Sequence, residues 1–361
     1  MKNVLVTGGA GFIGSNFIRF LMQVEPDVRI VNLDRLTYAG RLENFEDLPD
    51  PERHIFVHGD ICDQAAVQSI FRQYRIDTIV HFAAESHVDR SIHGPGAFLQ
   101  TNVVGTFTLL EAAREAWIKD QIVPLTETRF HHVSTDEVFG SLEPEEPAFR
   151  EDTPYDPRSP YSASKAASDH FVRAYHHTYG LPVTITNCSN NYGPYQFPEK
   201  LIPLMILNAV SGKPLPVYGD GRQVRDWLYV TDHCEAIYRV LAGGKVGETY
   251  NIGGENQPYN IDIVRKICVI LDERLPDSPF RPHVNLVQYV TDRPGHDRRY
   301  DMDTTKIRTE LGWQPRESLD SGLEKTVGWY LTHPEWVSAI QTESDYKKWI
   351  NRNYTTREGQ A

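Results

Sequence analysis

A short apolar run at residues 3 to 7 (Asn-Val-Leu-Val-Thr) is followed by glycines, after which Phe12, Ile13, Phe17, Ile18 and Leu21 recur at three- and four-residue steps. The run predicts a buried strand, the spacing predicts a helix with one apolar face, and the glycines predict a tight turn between them. Further strand-like runs lie at Val28 to Leu33, His54 to Val57, Thr78 to Ala83, Phe130 to Ser134 and Val183 to Asn187, separated by helical stretches such as Ala97 to Trp117. Continuous apolar strands alternating with helices predict an α/β fold, a Rossmann-type doubly wound parallel sheet covered on both faces.

Beyond Asn187 the alternation weakens. Phe197 to Val217 is punctuated by proline, Gly247 to Gly254 reads as another strand, and Leu275 to Arg299 reads as a loop rich in Pro and Arg. A helix of this second lobe is expected from Ser321 onward, with Ser321 and Glu324 as a capping box and Leu323, Val327 and Tyr330 as its apolar ladder. The expected division is a nucleotide-binding domain over 1–186, rejoined by about 226–256, with 187–225 and 257–361 forming a smaller, mixed α/β C-terminal substrate lobe.

Composition narrows the function classes. The 361 residues carry 37 Lys plus Arg against 49 Asp plus Glu, so the net charge is 37 − 49 = −12 with no basic run, which argues against nucleic acid as partner. Cys62, Cys188, Cys234 and Cys268 are widely separated and form no CxxC pair, as expected of reduced thiols. No stretch approaches the roughly 20 apolar residues that span a bilayer, and no leader pattern opens the chain. The expectation is a soluble cytoplasmic protein without a membrane partner.

Three segments carry chemistry. Thr7-Gly8-Gly9-Ala10-Gly11-Phe12-Ile13-Gly14 places a Gly-x-x-Gly-x-x-Gly turn between first strand and first helix, where backbone and helix N-terminus can receive a pyrophosphate. Glycine runs also make plain turns, but Asp34 ends the second strand 34 − 14 = 20 residues after the last glycine, where a carboxylate can bind both ribose hydroxyls and repel a 2′-phosphate. NAD is therefore expected over NADP, with the neighbouring Arg35 as the contrary hint. Asp60, at the end of the third strand, could meet the adenine amino group or simply form a turn.

Tyr161-Ser162-Ala163-Ser164-Lys165 opens a helix after a proline-rich loop. Residues four apart share a helical face, so the Lys165 ammonium is expected near the Tyr161 phenol, lowering a pKa of about 10 toward usefulness as a base. The third segment is Ser134-Thr135-Asp136-Glu137, where the fifth strand runs out at the carboxyl edge of the sheet. Adjacent acids at a strand end are often solvated turn residues. Here a hydroxyl plus two carboxyls exceeds what a simple oxidoreductase needs and suits an elimination, with one group removing a carbon-bound proton while the other protonates a departing hydroxyl. Asp136 is expected to have a raised pKa, from burial or from Glu137. His131-His132 and His176-His177 suggest a metal, but adjacent strand residues point to opposite faces, so both pairs read as structural and no metal site is expected.

With these segments in place the sequence resembles the extended short-chain dehydrogenase/reductases, and within them the NAD-dependent nucleotide-sugar epimerase/dehydratase family, over nearly its whole length. The likeness rests on Asp34 to Gly40, Ala83 to Ser91, Ser134 to Val138, Asn187 to Pro194, Arg225 to Val230 and Asp292 to Tyr300. Departures are Arg35 in place of an expected lysine, Phe139 in place of tyrosine, and short segments after Trp117 and Leu142. The resemblance implies a lyase acting on dTDP-glucose with retained NAD. Tyr161, with Lys165 and Thr135, would deprotonate the 4-hydroxyl as hydride leaves C4. Glu137 would then take the C5 proton, Asp136 would protonate the departing 6-hydroxyl, and hydride would return to C6.

The resemblance also implies NAD contacts at Gly8, Gly11, Phe12, Ile13, Gly14, Asp34, Arg35, Leu36, Thr37, Asp60, Ile61, Phe82, Ala83, Ala84, Ser86, Thr101 and Asn191, together with Tyr161 and Lys165. Substrate contacts are implied at Ser86, Thr135, Asn190, Lys200, Leu201, Pro216, Val217, Tyr218, Arg225, Asn260, Asp292, Arg293 and His296. The Lys200 and Arg225 cations suit a diphosphate. A homodimer through the Tyr161 helix and the Ala97 to Trp117 helix is implied by likeness alone. The competing readings are a 4-epimerase or decarboxylase of the same superfamily, which would not need both Asp136 and Glu137, and a non-catalytic NAD-binding regulator.

Overall fold

The computed structural model describes residues 1–292 and 295–352. Its strands, in chain order, are β1 (Asn3–Thr7), β2 (Arg29–Asp34), β3 (His54–His58), β4 (Thr78–His81), β5 (Arg129–Thr135), β6 (Val183–Cys188), β7 (Asn190–Tyr192), β8 (Leu215–Tyr218), β9 (Trp227–Tyr229), β10 (Thr249–Ile252) and β11 (Val287–Val290). Seven of them form one sheet in the order β10-β6-β5-β4-β1-β2-β3, every neighbouring pair parallel. The strand order reverses between β1 and β4, and in such sheets the crevice beyond the carboxyl ends at that point receives the ligand.

Strand alternation splits the core. On β1, Val4 and Val6 pack on one face with Phe17, Ile18 and Leu21 of the Phe12–Val24 helix, and with Ile237 and Val240 of the Val230–Gly243 helix. Leu5 packs on the other face with Phe71, Leu109, Trp117 and Val172. A third core, built around Leu204, Ile206, Ile263, Ile267, Leu323 and Val327, belongs to the helices Leu201–Val210, Asn260–Arg274 and Leu319–Thr332. Ile307 and Trp313 pack back against the sheet core. No helix among the described residues is long and apolar enough to cross a membrane.

Three local expectations change. The cap of the late helix is Ser318, not Ser321: the Ser318 hydroxyl accepts the Ser321 N–H at 3.1 Å, while Glu324 pairs with Arg274 instead of closing a box. The helix starts earlier because Leu319 adds a buried rung to the ladder. The segment read as a loop over Leu275 to Arg299 contains β11, which pairs parallel to β8 in a separate two-stranded sheet. The stretch over Ala97 to Trp117 is helical but widens into π turns at Leu99–Gly105 and Arg114–Lys119 around the Thr106–Ala113 helix.

Candidate active site

The carboxyl ends of β1, β2, β4, β5 and β6 open into a single cleft. It is lined by the glycine turn, Asp34, Asp60, the 82–86 segment, Thr135 to Glu137, Tyr161, Lys165, Asn190, Asn191 and Lys200. Every residue expected to contact the cofactor lines this cleft except Leu36, which faces a neighbouring crevice.

The glycine turn has the shape a dinucleotide needs. Gly8 sits at φ +68° in the left-handed region, and a Cβ there would meet the Ala83 backbone at 2.6 Å; a Cβ on Gly14 would come within 2.4 Å of the Gly8 carbonyl. The Phe12–Val24 helix starts from Gly11 with no side-chain cap and no acid in its first turn, leaving its N–H groups for an anion. Asp34 accepts the Ala10 N–H at 2.9 Å and the Leu36 N–H at 2.8 Å. A carboxylate has about four lone pairs, so these bonds aim Asp34 without exhausting it for ribose hydroxyls. Burial raises its pKa, and those N–H groups oppose the shift. Arg35 pairs with Asp60 at 3.0 Å, so its charge is already engaged by a carboxylate. These residues fit NAD.

The residues expected to react come from the end of β5 and the start of the Pro160–Tyr179 helix. Ser159 caps that helix reciprocally with Ser162, which sets Tyr161 and Lys165 in its first turns, facing β5. Tyr161 lies near Thr135, whose hydroxyl favours the phenolate, yet burial, reinforced by the Glu137 charge, lifts its pKa well above the ordinary phenol value. Lys165 does not stand ready to lower that pKa. Its Nζ donates to the Val133 carbonyl at 2.8 Å, and burial holds its pKa below the usual ammonium value. The sequence expectation placed charge against phenol from spacing alone; the strand carbonyl takes the ammonium.

Asp136 is 2% exposed, and burial, followed by the Glu137 charge, raises its carboxyl well above the carboxylate range. Arg225 opposes the rise. Thr135 Oγ1 donates to Asp136 Oδ1 at 3.2 Å and also accepts the Glu137 N–H, while Asp136 Oδ2 is buried without a hydrogen-bond partner in the chain. Burial and the Glu137 charge thus both favour the protonated form of Asp136, whose residue lines the cleft.

Of the expected substrate residues, Ser86, Thr135, Asn190 and Lys200 line this cleft, and Lys200 Nζ reaches the Ser86 carbonyl at 3.2 Å. The cleft wall does not include Leu201, Pro216, Val217, Tyr218, Arg225, Asn260, Asp292 or His296. On β8, Val217 turns into the lobe core while Pro216 and Tyr218 stay partly exposed. Asp292 accepts from Gln223 at 2.8 Å and pairs with His296 at 2.6 Å, the His296 ring meets Tyr218 edge-on, and Tyr218 donates to Asp89 at 3.3 Å. Arg225 donates to the Val224 and Asp297 carbonyls and lies 4.3 Å over the Tyr300 ring. Arg293 lies outside the described residues.

Sequence reasoning overlooked Asp169, Glu85 and Tyr300. Asp169 had a signal, a carboxylate four residues beyond Lys165 on one helix. Glu85 and Tyr300 lay inside matching stretches without any spacing that marked a role. His131 bonds to Thr184 and Thr186, and His132 faces Asp169. His176 and His177 lie in a helix rather than a strand, so the alternating-face argument does not apply to them; His176 binds the Leu181 carbonyl. Among the described residues no cluster could hold a metal ion.

A doubly wound sheet, a glycine turn before a strand-end aspartate, and a Tyr-x-x-x-Lys helix facing a hydroxyl and two acids together define a short-chain dehydrogenase/reductase of the extended kind. More particularly, the chain belongs to the GDP-mannose 4,6 dehydratase family, whose model matches residues 5–326. It is 55% identical to a dTDP-glucose 4,6-dehydratase of Shigella flexneri over 98% of this chain and 99% of that one. It is 59% identical to one of Xanthomonas campestris pv. campestris over 94% and 96%. A dTDP-glucose 4,6-dehydratase from Streptomyces venezuelae, solved with NAD bound, superposes with a TM-score of 0.83 at 48% identity, covering 92% of this chain and 98% of that one.

Proposed function

We propose that the protein is a hydro-lyase that converts dTDP-glucose to dTDP-4-keto-6-deoxyglucose and water, using NAD that it retains. The observation that carries the mechanism is the buried Asp136 beside Glu137, its carboxyl pushed toward the protonated form, in the lining of the cleft that also holds Tyr161 and the glycine turn.

Bound NAD supplies the acceptor for hydride from C4 and the donor that returns it to C6. Tyr161, beside Thr135, takes the 4-hydroxyl proton. Its raised pKa means that this transfer needs positive charge in the loaded cleft, and Lys165 is the cation on the same helical face. Once C4 is a ketone, the adjacent C5 proton becomes acidic and Glu137 removes it. Asp136 gives its proton to the 6-hydroxyl, which leaves as water; Oδ2, buried and unpartnered in the chain, has its bonding capacity open for that hydroxyl. Glu137 then returns a proton to C5, and the proton taken from the 4-hydroxyl replaces the one Asp136 spent. Lys200 beside Ser86, and Arg225 across from Asp136, are the cations assigned to the diphosphate side.

We assign the assembly to a homodimer. Leu99, Val104, Phe107 and Phe171 form an exposed apolar face on the 99–113 segment and the Pro160–Tyr179 helix, with the Phe107 and Phe171 rings 6.3 Å apart. Four thiols, none disulfide-bonded and three of them buried, support a reducing, cytoplasmic compartment.

Incubation with dTDP-glucose in deuterated water tests the reaction. Loss of one water with deuterium at C5 is expected; a product of unchanged mass would make the protein an epimerase, and no product would leave it a binding protein.

A further inference from the structure

We propose that Asn44 is a positioning residue through which the late helix Pro334–Thr342 holds the glycine turn in its dinucleotide-binding shape, so that retention of NAD is governed from a segment nearly 300 residues further along the chain. The inference rests only on the NAD-binding part of the reading above.

A glycine turn approaches its ligand closely because it lacks side chains, and for the same reason no side chain can anchor it. Its rigidity must come from backbone hydrogen bonds. Ala10, fully buried between Gly9 and Gly11, has both backbone groups fixed: its N–H by Asp34, and its carbonyl by the Arg41 N–H at 2.9 Å and Asn44 Nδ2 at 2.9 Å.

Asn44 is itself buried, and its Oδ1 accepts the Trp336 indole N–H at 2.8 Å. The indole nitrogen is a donor only, so it determines which end of the Asn44 amide is oxygen. The other end must then be the NH₂ group that faces the Ala10 carbonyl. Were the amide to turn over, two oxygens would oppose each other.

Trp336 is held in turn by the rings of Trp329 and Tyr195, 5.1 and 6.1 Å away. Two more ties clamp the 41–47 segment. Arg41 pairs with Glu343 at 2.7 Å, and Arg19, from the helix that follows the glycine turn, donates to the Asp47 carbonyl while lying 4.8 Å over Tyr195. The chain of contacts thus runs from a C-terminal tryptophan to the turn that receives the pyrophosphate.

The test measures release of bound NAD from the NAD-loaded full chain, alongside its melting temperature. Trp336→Phe keeps the aromatic packing and removes the N–H; Asn44→Ala removes the amide. Each should release NAD about tenfold faster, in keeping with one buried hydrogen bond. Val337→Ala, on the same helix in the lobe core, should lower the melting temperature yet release NAD within about twofold of wild type. Release within about twofold of wild type in Trp336→Phe and Asn44→Ala overturns the proposal, as does equally fast release from Val337→Ala. Should Trp336→Phe fail to fold, Asn44→Ala decides alone. A wild-type protein that binds no NAD would instead overturn the functional reading itself.

Discussion

Lys165 and Asp169 stand one turn apart on the Pro160–Tyr179 helix, and both are buried, at 4% and 0% exposure. Asp169 accepts from Ser134 Oγ at 2.8 Å and from Tyr155 OH at 2.9 Å, and faces His132 Nε2 at 3.1 Å. The hydrogen bond to His132, whose ring burial keeps neutral, together with the Lys165 and Arg173 charges, opposes burial and keeps the carboxyl below its ordinary pKa. Its negative charge in turn opposes the burial that lowers Lys165. One buried carboxylate therefore supports the ammonium and anchors the strand that leads into Asp136 and Glu137.

Asp169→Asn should leave Lys165 buried with less compensation. Stability should fall by about 3 kcal/mol, the scale for breaking a buried pair, as checked by denaturant unfolding. Because the ammonium pKa then drops further, activity should disappear at lower pH on the alkaline side of the rate profile. Asp169→Glu should keep the wild-type alkaline limb even if its rate is reduced.

Removing the phenol separates oxidation from elimination. Tyr161→Phe should cut C4 oxidation by at least about a hundredfold, the scale of a lost general base. Asp136→Asn combined with Glu137→Gln should still accumulate reduced cofactor on adding sugar nucleotide, seen as near-ultraviolet absorbance, but release no water. Normal turnover by the double variant would remove both acids from the mechanism.

Asp226 offers a test by pH. Burial raises its carboxyl to about 7 against the N–H groups of Asn256 and Gly254, each bonding it at 3.0 Å. A raised folded-state pKa favours the protonated form, so this contribution to stability is complete below about pH 4 and is lost as pH climbs toward 7. Between pH 5 and 8, wild type should lose unfolding free energy relative to Asp226→Asn, which has no such proton. A constant difference across that range would contradict the assignment.

Charge on the apolar helix face should split the dimer. Phe107→Arg with Phe171→Arg alters partly exposed positions, so the monomer should stay folded while light scattering after gel filtration reports half the mass. A wild type that is already monomeric would refute the dimer.

Much of the cofactor half was legible in the chain because its signals are local. Glycines at three-residue steps, an acid at the end of the next strand, and Tyr-x-x-x-Lys all act through backbone geometry set within a few residues. The substrate half was less legible. Tyr218, Asp292 and His296 meet through a two-stranded sheet whose partners are distant in sequence, and no periodicity announces such pairing. The late helix was placed three residues out because Ser318 and Ser321 offer similar caps, and only the burial of Leu319 separates them.

By itself the sequence determined the alternation of strands and helices and the glycine turn, since hydrophobic period and backbone permissiveness are properties of neighbours. Only the tertiary structure decided protonation and aim. Burial depends on which elements pack over a residue, and it raises the Asp136 carboxyl pKa, while packing sends the Lys165 ammonium to the Val133 carbonyl. The tie from Trp336 through Asn44 to Ala10 exists only because folding brings the two ends of the chain together.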